Sequence, residues 1–188
     1  GDLNITLGTL SMSANDLNVG SSSVTDSGDI IITGTITQSA SGTTTIKSSS
    51  AVTATVGGSG TITFYNLTFA PTVASEPTFT LGDGASQTIT VDGTLTVGNG
   101  TNGVTITGAT NDPAIDVNGS VSILAGGILI APGSSSFTIA GDMTNNGTFT
   151  HSSGTVNFNG SGIQTINGSG TPAITFHNLT LSSGQTIK

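Results

Sequence analysis

Carboxylates are the residues through which this sequence could do acid–base chemistry, and they are few and scattered. Hydrolysis of a glycosidic bond needs two carboxylates a few ångströms apart, and an active site in general needs titratable groups that converge. The chain has no Arg, and its only Lys residues are Lys47 and Lys188. We therefore predict no enzyme, no catalytic residue and no cofactor, with a polysaccharide-active enzyme as a remote alternative. The acids are Asp2, Asp16, Asp26, Asp29, Glu76, Asp83, Asp92, Asp112, Asp116 and Asp142.

The densest acidic segment contains Asp112 and Asp116, which could supply oxygen ligands to Ca²⁺. Calcium takes 6–8 oxygen ligands, and the glycine-rich nonapeptide repeat that binds it in some β-helices does not occur. We interpret both residues as turn residues that accept backbone hydrogen bonds. The same interpretation applies to Asp29 and Asp142, which both follow Gly, and no metal site is predicted.

Neither histidine belongs to a motif. His151 and His177 stand alone, and His177 aligns with Tyr65 in the internal repeat described below. The sequence predicts that His177 is a strand or surface residue rather than a metal ligand.

Threonine pairs separated by one residue would place two hydroxyls on one face of a strand. Stacked in register, such pairs form the kind of array found in ice-binding β-solenoids. The alternative is that Thr fills outward strand positions, where it is favoured. The pairs are Thr35/Thr37, Thr61/Thr63, Thr88/Thr90, Thr94/Thr96, Thr105/Thr107 and Thr148/Thr150.

Sequons for N-glycosylation would carry sugar where they are exposed and where the source organism glycosylates secreted proteins. They begin at Asn4, Asn66, Asn99, Asn118, Asn146, Asn159, Asn167 and Asn178.

Charge is scarce in this 188-residue chain: charged residues make up 6%, and the net charge is −8. Nucleic acid is not an expected partner, because phosphate binding relies on Lys and Arg. Membrane insertion is not expected either, since no run of about 20 apolar residues occurs. A surface of Ser, Thr and Asn with almost no site for trypsin-like proteases favours a secreted protein, extracellular or on a cell surface.

Short alternating segments predict strands with one buried face. Sustained 3.6-residue periodicity is absent, so the chain is predicted to be all-β. The segments are 3–7, 61–64, 88–91, 94–97, 104–107, 121–124, 147–150 and 155–158.

Turn residues such as Asn102–Gly103, Asn118–Gly119, Asn146–Gly147 and Asn167–Gly168 separate the strands and accept positive φ at low cost. Asn-Gly also predicts two-residue hairpins, so antiparallel β-sandwich repeats remain an alternative. Very short strands and only 4% aromatic residues favour a right-handed parallel β-solenoid, or β-helix, in which small side chains stack into a thin core. We predict one continuous solenoid segment over residues 1–188.

The chain also repeats itself, because 20–69 matches 133–181. The repeat unit spans roughly 113 positions, far more than the repeats of ordinary solenoids. The clearest shared block is ITFYNLTF, residues 62–69, against ITFHNLTL, residues 174–181. Both ends of the chain fall inside a repeat unit rather than at its boundary, which predicts that the chain is a piece of a longer array.

The segments GTFT (147–150), GTVNFNGSG (154–162), QTI (164–166) and FHNLT (176–180) resemble repeats of very large bacterial surface proteins. Those are similar to filamentous-haemagglutinin and autotransporter adhesin passengers, which form right-handed β-helices. The first copy departs from this pattern at Thr44, Ile46 and Lys47. The resemblance implies secretion and an adhesion or stalk function, and it supplies no site residues.

The sequence thus predicts a structural segment of an extracellular fibre or adhesin, a rigid stalk or filament subunit that self-associates end to end. The alternative is an ice- or carbohydrate-binding solenoid that uses its Thr-x-Thr faces, with a surface or glycan as ligand.

Overall fold

A computed structural model describes residues 3–5, 8–19, 30–39, 41–48, 53–72, 74, 76–84, 86–182, 184 and 186–188. These residues form strands and turns without any helix, as the alternating pattern predicts. Accordingly, no helix that could span a membrane is found among them.

The strands are short because each covers one side of a coil before the chain turns a corner. In chain order they are β1 (Leu3–Ile5), β2 (Thr9–Met12), β3 (Leu17–Val19), β4 (Ile30–Ile32), β5 (Thr35–Gln38), β6 (Thr43–Ile46), β7 (Thr53–Gly57), β8 (Thr61–Phe64), β9 (Asn66–Phe69), β10 (Thr78–Leu81), β11 (Thr88–Val91), β12 (Leu95–Val97), β13 (Val104–Thr107), β14 (Ala114–Val117), β15 (Val121–Ile123), β16 (Gly127–Ile130), β17 (Phe137–Ile139), β18 (Met143–Asn145), β19 (Thr148–Thr150), β20 (Thr155–Phe158), β21 (Ile163–Gln164), β22 (Ile166–Asn167), β23 (Asn178–Leu181) and β24 (Thr186–Ile187).

Three parallel sheets run side by side along the molecule, and each complete coil contributes one strand to each sheet. The first sheet contains β1, β4, β7, β10, β13, β16 and β19; the second contains β2, β5, β8, β11, β14, β17, β20 and β23; the third contains β3, β6, β9, β12, β15, β18 and β22. A two-stranded sheet of β21 and β24 completes the described part. The chain is therefore a parallel β-solenoid, and the antiparallel sandwich alternative is wrong.

Coil length varies along the chain. The coil that leads from Phe137 to its partner Val156 is only about two-thirds as long as the coil that leads from Leu67 to its partner Leu95. The strands differ much less in length than the coils do. The extra residues of the longer coils therefore lie in the corners.

Inward side chains stack into continuous columns that form the core. In the second sheet Ile36, Ile62, Ile89 and Ile115 pair in register on four successive coils, and each is at most 1% exposed. Alternation along every strand sends the intervening residue outward. One face of each strand therefore builds the core and the other builds the surface.

The two copies of the sequence repeat do not occupy the same sheets. β5 of the first copy lies in the second sheet, but the matching β19 lies in the first; β9 lies in the third sheet and the matching β23 in the second. The repeat is thus not a whole number of coils, and each copy is displaced by one sheet relative to the other.

Candidate functional site

The outward face of the second sheet carries threonines in two columns. Thr9, Thr35 and Thr61 pair in register, and beside them Thr37, Thr63 and Thr90 form the second column. All six are half-buried or exposed. Strands in a sheet lie about 4.8 Å apart and alternate residues about 6.6 Å apart, so the hydroxyls form a regular two-dimensional lattice.

The predicted threonine pairs of the other two sheets belong to columns that are partly buried or interrupted by other residue types. In the first sheet Thr53, Thr78 and Thr105 pair in register, but Thr80 and Thr107 in the neighbouring column are buried. The following coil places Ile128 and Ile130 at these positions, before Thr148 and Thr150. Thr96 lies in the outward column of the third sheet, beside Thr68 and Ser122.

Asp112 is held by the turn of the next coil. Its carboxylate accepts backbone N–H bonds from Gly133 (2.6 Å) and Ser134 (2.9 Å), a third from Ser135, and a bond from the Ser134 hydroxyl. These bonds, with those of Ser134 the strongest, lower the pKa of Asp112 from 3.8 to about 2, because they favour the charged form of the carboxyl group. The turn interpretation of this residue is confirmed.

The turn interpretation of Asp116 is wrong, because this residue lies within a strand. It projects from β14 on the second sheet, where its carboxylate accepts a hydrogen bond from the Thr138 hydroxyl of the next coil. Within the described ranges, no group of three or more His, Cys, Asp or Glu could hold a metal ion.

Three further described acids accept hydrogen bonds on separate coils. Asp142 accepts the backbone N–H of Thr165 (2.7 Å), as predicted for a residue that fixes a turn, and Asp16 accepts that of Thr43 (2.8 Å). Asp92 accepts a hydrogen bond from Asn118. Asp2, Asp26 and Asp29 lie outside the described residues.

Buried glutamine side chains hydrogen-bond the backbone in the corners between sheets. Nothing in the sequence indicates this role. Gln164 donates to the carbonyls of Ile139 (3.0 Å) and Gly141 (2.5 Å), and its oxygen accepts the N–H of Gly160 (3.0 Å). Gln38 acts similarly in the corner between the second and third sheets of an earlier coil, where it donates to the carbonyl of Asn15. An isolated Gln carries no sequence signal, because most of its partners lie about one coil away along the chain.

The two histidines stack on each other across successive coils. Their ring centroids lie 5.8 Å apart, with an angle of 38° between the planes. His151 Nδ1 lies 2.8 Å from the carbonyl oxygen of Ser152. The prediction that the two histidines stand alone is therefore wrong. The signal that could have found the pair is the separation of the two residues along the chain, which corresponds to one coil.

A groove of about 550 Å³ lies at the corner between the first and second sheets. Thr61, Ser86, Gln87 and Thr90 line it, together with a single carboxylate, Asp83. Its lining can hydrogen-bond hydroxyl groups, but it lacks the second carboxylate that glycosidic hydrolysis requires.

The sequons differ in accessibility. The side-chain amide of Asn66 donates to Gly42 in the preceding coil, and that of Asn99 donates to Pro71. Asn66 is half-buried, whereas Asn99, Asn118, Asn146, Asn159, Asn167 and Asn178 are exposed. The side chain of Asn4 is outside the description.

Comparison with protein-family models, with curated proteins and with solved structures finds no match to this chain.

Proposed function

We propose that this chain is a rigid structural segment of a secreted fibre or adhesin, on the cell surface or extracellular, where it acts as a stalk or filament subunit. The supporting observation is the continuity of the solenoid: sheets of seven, eight and seven strands share one core. At the usual strand spacing, the eight strands of the second sheet extend about 34 Å along the axis. Continuous backbone ladders and a dry core make such a rod stiff.

Most of the described acids are distributed over separate coils and accept hydrogen bonds that fix turns or strands, as Asp112, Asp142 and Asp16 do. Their arrangement favours a non-catalytic function. The resemblance to filamentous-haemagglutinin and autotransporter adhesin repeats points the same way.

End-to-end association of copies is part of this proposal. The inward-facing residues of β23, Leu179 and Leu181, are 45% and 41% exposed although their counterparts in earlier coils are buried. At the opposite end of the same sheet, Leu10 and Met12 of β2 are only partly buried. A further coil, from the same longer chain or from a second copy whose β2 pairs with β23, would continue the ladder and cover these leucines. In the second case the head-to-tail contact builds filaments.

We expect the protein to sediment as larger species when its concentration rises, and Leu179→Asn with Leu181→Asn to abolish this behaviour. The matched control is Thr180→Asn, which lies between the two leucines on the outward face. Sedimentation velocity over a range of protein concentrations measures the size of the species formed. A wild-type protein that stays monomeric, or a control that loses association equally, would contradict end-to-end contact.

A second candidate function is binding of an ordered surface, either ice or a crystalline polysaccharide, by the second sheet. The in-register Thr columns of β2, β5, β8 and β11 favour it, because a flat lattice of hydroxyl and methyl groups can match a repeating ligand lattice.

For this second function we expect Thr63→Arg, at the centre of the array, to abolish adsorption to the ordered surface by preventing flat contact. Thr96→Arg, an equally half-buried outward threonine on the third sheet, should leave adsorption unchanged. Thermal hysteresis and sedimentation with insoluble cellulose or chitin provide the assays. Wild-type protein that adsorbs to none of these surfaces would reject the candidate.

A further inference from the structure

The histidine pair is placed on two successive coils, where the fold rather than the local sequence brings the rings together. His151 follows β19, and His177 immediately precedes β23. These are the two histidines of the chain. His177 is exposed and His151 is half-buried, so an ion in solvent can reach the pair.

The contact of His151 with Ser152 determines which ring nitrogen is free. A carbonyl oxygen can only accept, so Nδ1 must carry the proton and donate to Ser152 over 2.8 Å. Nε2 of the neutral ring then has a lone pair available. Histidines that bind metals usually donate their second ring N–H to a carbonyl or carboxylate in this way, which fixes the tautomer and orients the ring.

The distance between the rings suits a shared ion. Imidazole nitrogens bind Zn²⁺ at about 2.0–2.1 Å, which places the centroids of two rings on one tetrahedral ion about 5 Å apart. The observed separation is 5.8 Å. Small side-chain rotations of the exposed His177 would close the difference.

We propose that His151 and His177 form a two-ligand site for a divalent transition metal of the class that prefers imidazole, such as Cu²⁺, Ni²⁺ or Zn²⁺. Water fills the remaining coordination positions, since the described residues provide no third ligand of the usual types. The ion ties the coil that carries β19 to the coil that carries β23. This proposal does not depend on the rod or surface-binding functions.

The sequence repeat supplies matched variants. Gln38 aligns with His151 and Tyr65 with His177. These two residues also contact each other on successive coils, where the Tyr65 backbone N–H donates to Gln38 (3.3 Å). Replacing the histidines by the residues of the first copy should therefore preserve the packing between coils while removing both imidazoles.

The test titrates Ni²⁺ alone into the wild-type protein by calorimetry, with Mg²⁺ as the hard-ion control that prefers oxygen ligands. We expect one equivalent of Ni²⁺ to bind and to raise the melting temperature, and no response to Mg²⁺. His151→Gln and His177→Tyr should each reduce Ni²⁺ affinity by about tenfold or more, and the double variant should lose the Ni²⁺-dependent rise in melting temperature.

A measurement on the wild-type protein covers the case in which a variant fails to fold. Sub-stoichiometric Ni²⁺ should broaden the imidazole NMR signals of both histidines together. Binding of two independent equivalents, broadening of one ring only, single variants that bind as well as wild type, or no binding at all would each overturn the proposal.

Discussion

Replacing Gln164 by leucine should lower the free energy of unfolding by about 3–5 kcal/mol, although the two side chains have similar volumes, because each buried polar group left without a partner costs about 1–3 kcal/mol. Gln164 is 2% exposed and hydrogen-bonds three backbone groups, the carbonyls of Ile139 and Gly141 and the N–H of Gly160. Leucine would leave the last two without this partner, whereas the carbonyl of Ile139 still accepts the N–H of Asn159. Chemical denaturation followed by circular dichroism would measure the loss.

The control for this variant is Asn159→Leu, an exposed position in the same turn, where we expect a change within about 0.5 kcal/mol. If Gln164→Leu were equally mild, water molecules would have to form the hydrogen bonds to the corner backbone that the Gln164 amide forms. Gln38, which is fully buried and also bonds three partners, should behave like Gln164.

The strands are the most predictable part of the fold. The segments 61–64, 88–91, 104–107 and 155–158 coincide with β8, β11, β13 and β20 at both ends. Strict alternation of apolar and polar residues carries this information, because it reports directly which face of a strand is buried. In the first copy of the repeat, where Thr44 and Ile46 break the pattern of the second copy, β6 still pairs in register with β3 and β9.

The corners are less predictable, since a corner side chain acts on a different coil. The place of Asp142 after Gly predicts that it fixes a turn, but nothing in the sequence names its partner, Thr165. Coil length varies along the chain, so no fixed spacing reveals which residues meet. The separation of His151 and His177 lies within the range of coil lengths, so it is compatible with their contact but does not identify it.

Glycine is required in the Asn-Gly pairs at Gly119 and Gly147 for a different physical reason from the one that local turn preferences suggest. Positive φ is expected of their glycines, yet among Gly103, Gly119, Gly147 and Gly168 only Gly168 adopts it (133°). A Cβ at Gly119 would lie 2.2 Å from the carbonyl oxygen of Gly93 in the preceding coil. Glycine is needed there because successive coils approach too closely for any side chain, and this requirement produces no hairpin.

Gly147→Ala should therefore destabilise the solenoid by about 3 kcal/mol, at the upper end of the range for overpacking. A Cβ at this position would lie 2.2 Å from the Gly127 carbonyl oxygen and 2.5 Å from that of Leu124. Both are backbone atoms of the preceding coil, and Gly127 belongs to β16 of the first sheet, so neither can move away without disturbing the sheet ladder. The loss should appear in denaturant midpoints without a change in slope.

Gly162→Ala is the matched control, because a Cβ there would meet no atom within 4 Å and the backbone does not adopt positive φ. It should leave stability unchanged or raise it by about 0.4–1 kcal/mol, through lower entropy of the unfolded chain. If Gly147→Ala were as mild as this control, the coils would have to separate at their corners at little cost. A rod that transmits force depends on the opposite property, namely coils held together at fixed spacing by backbone contacts that leave no room for a methyl group.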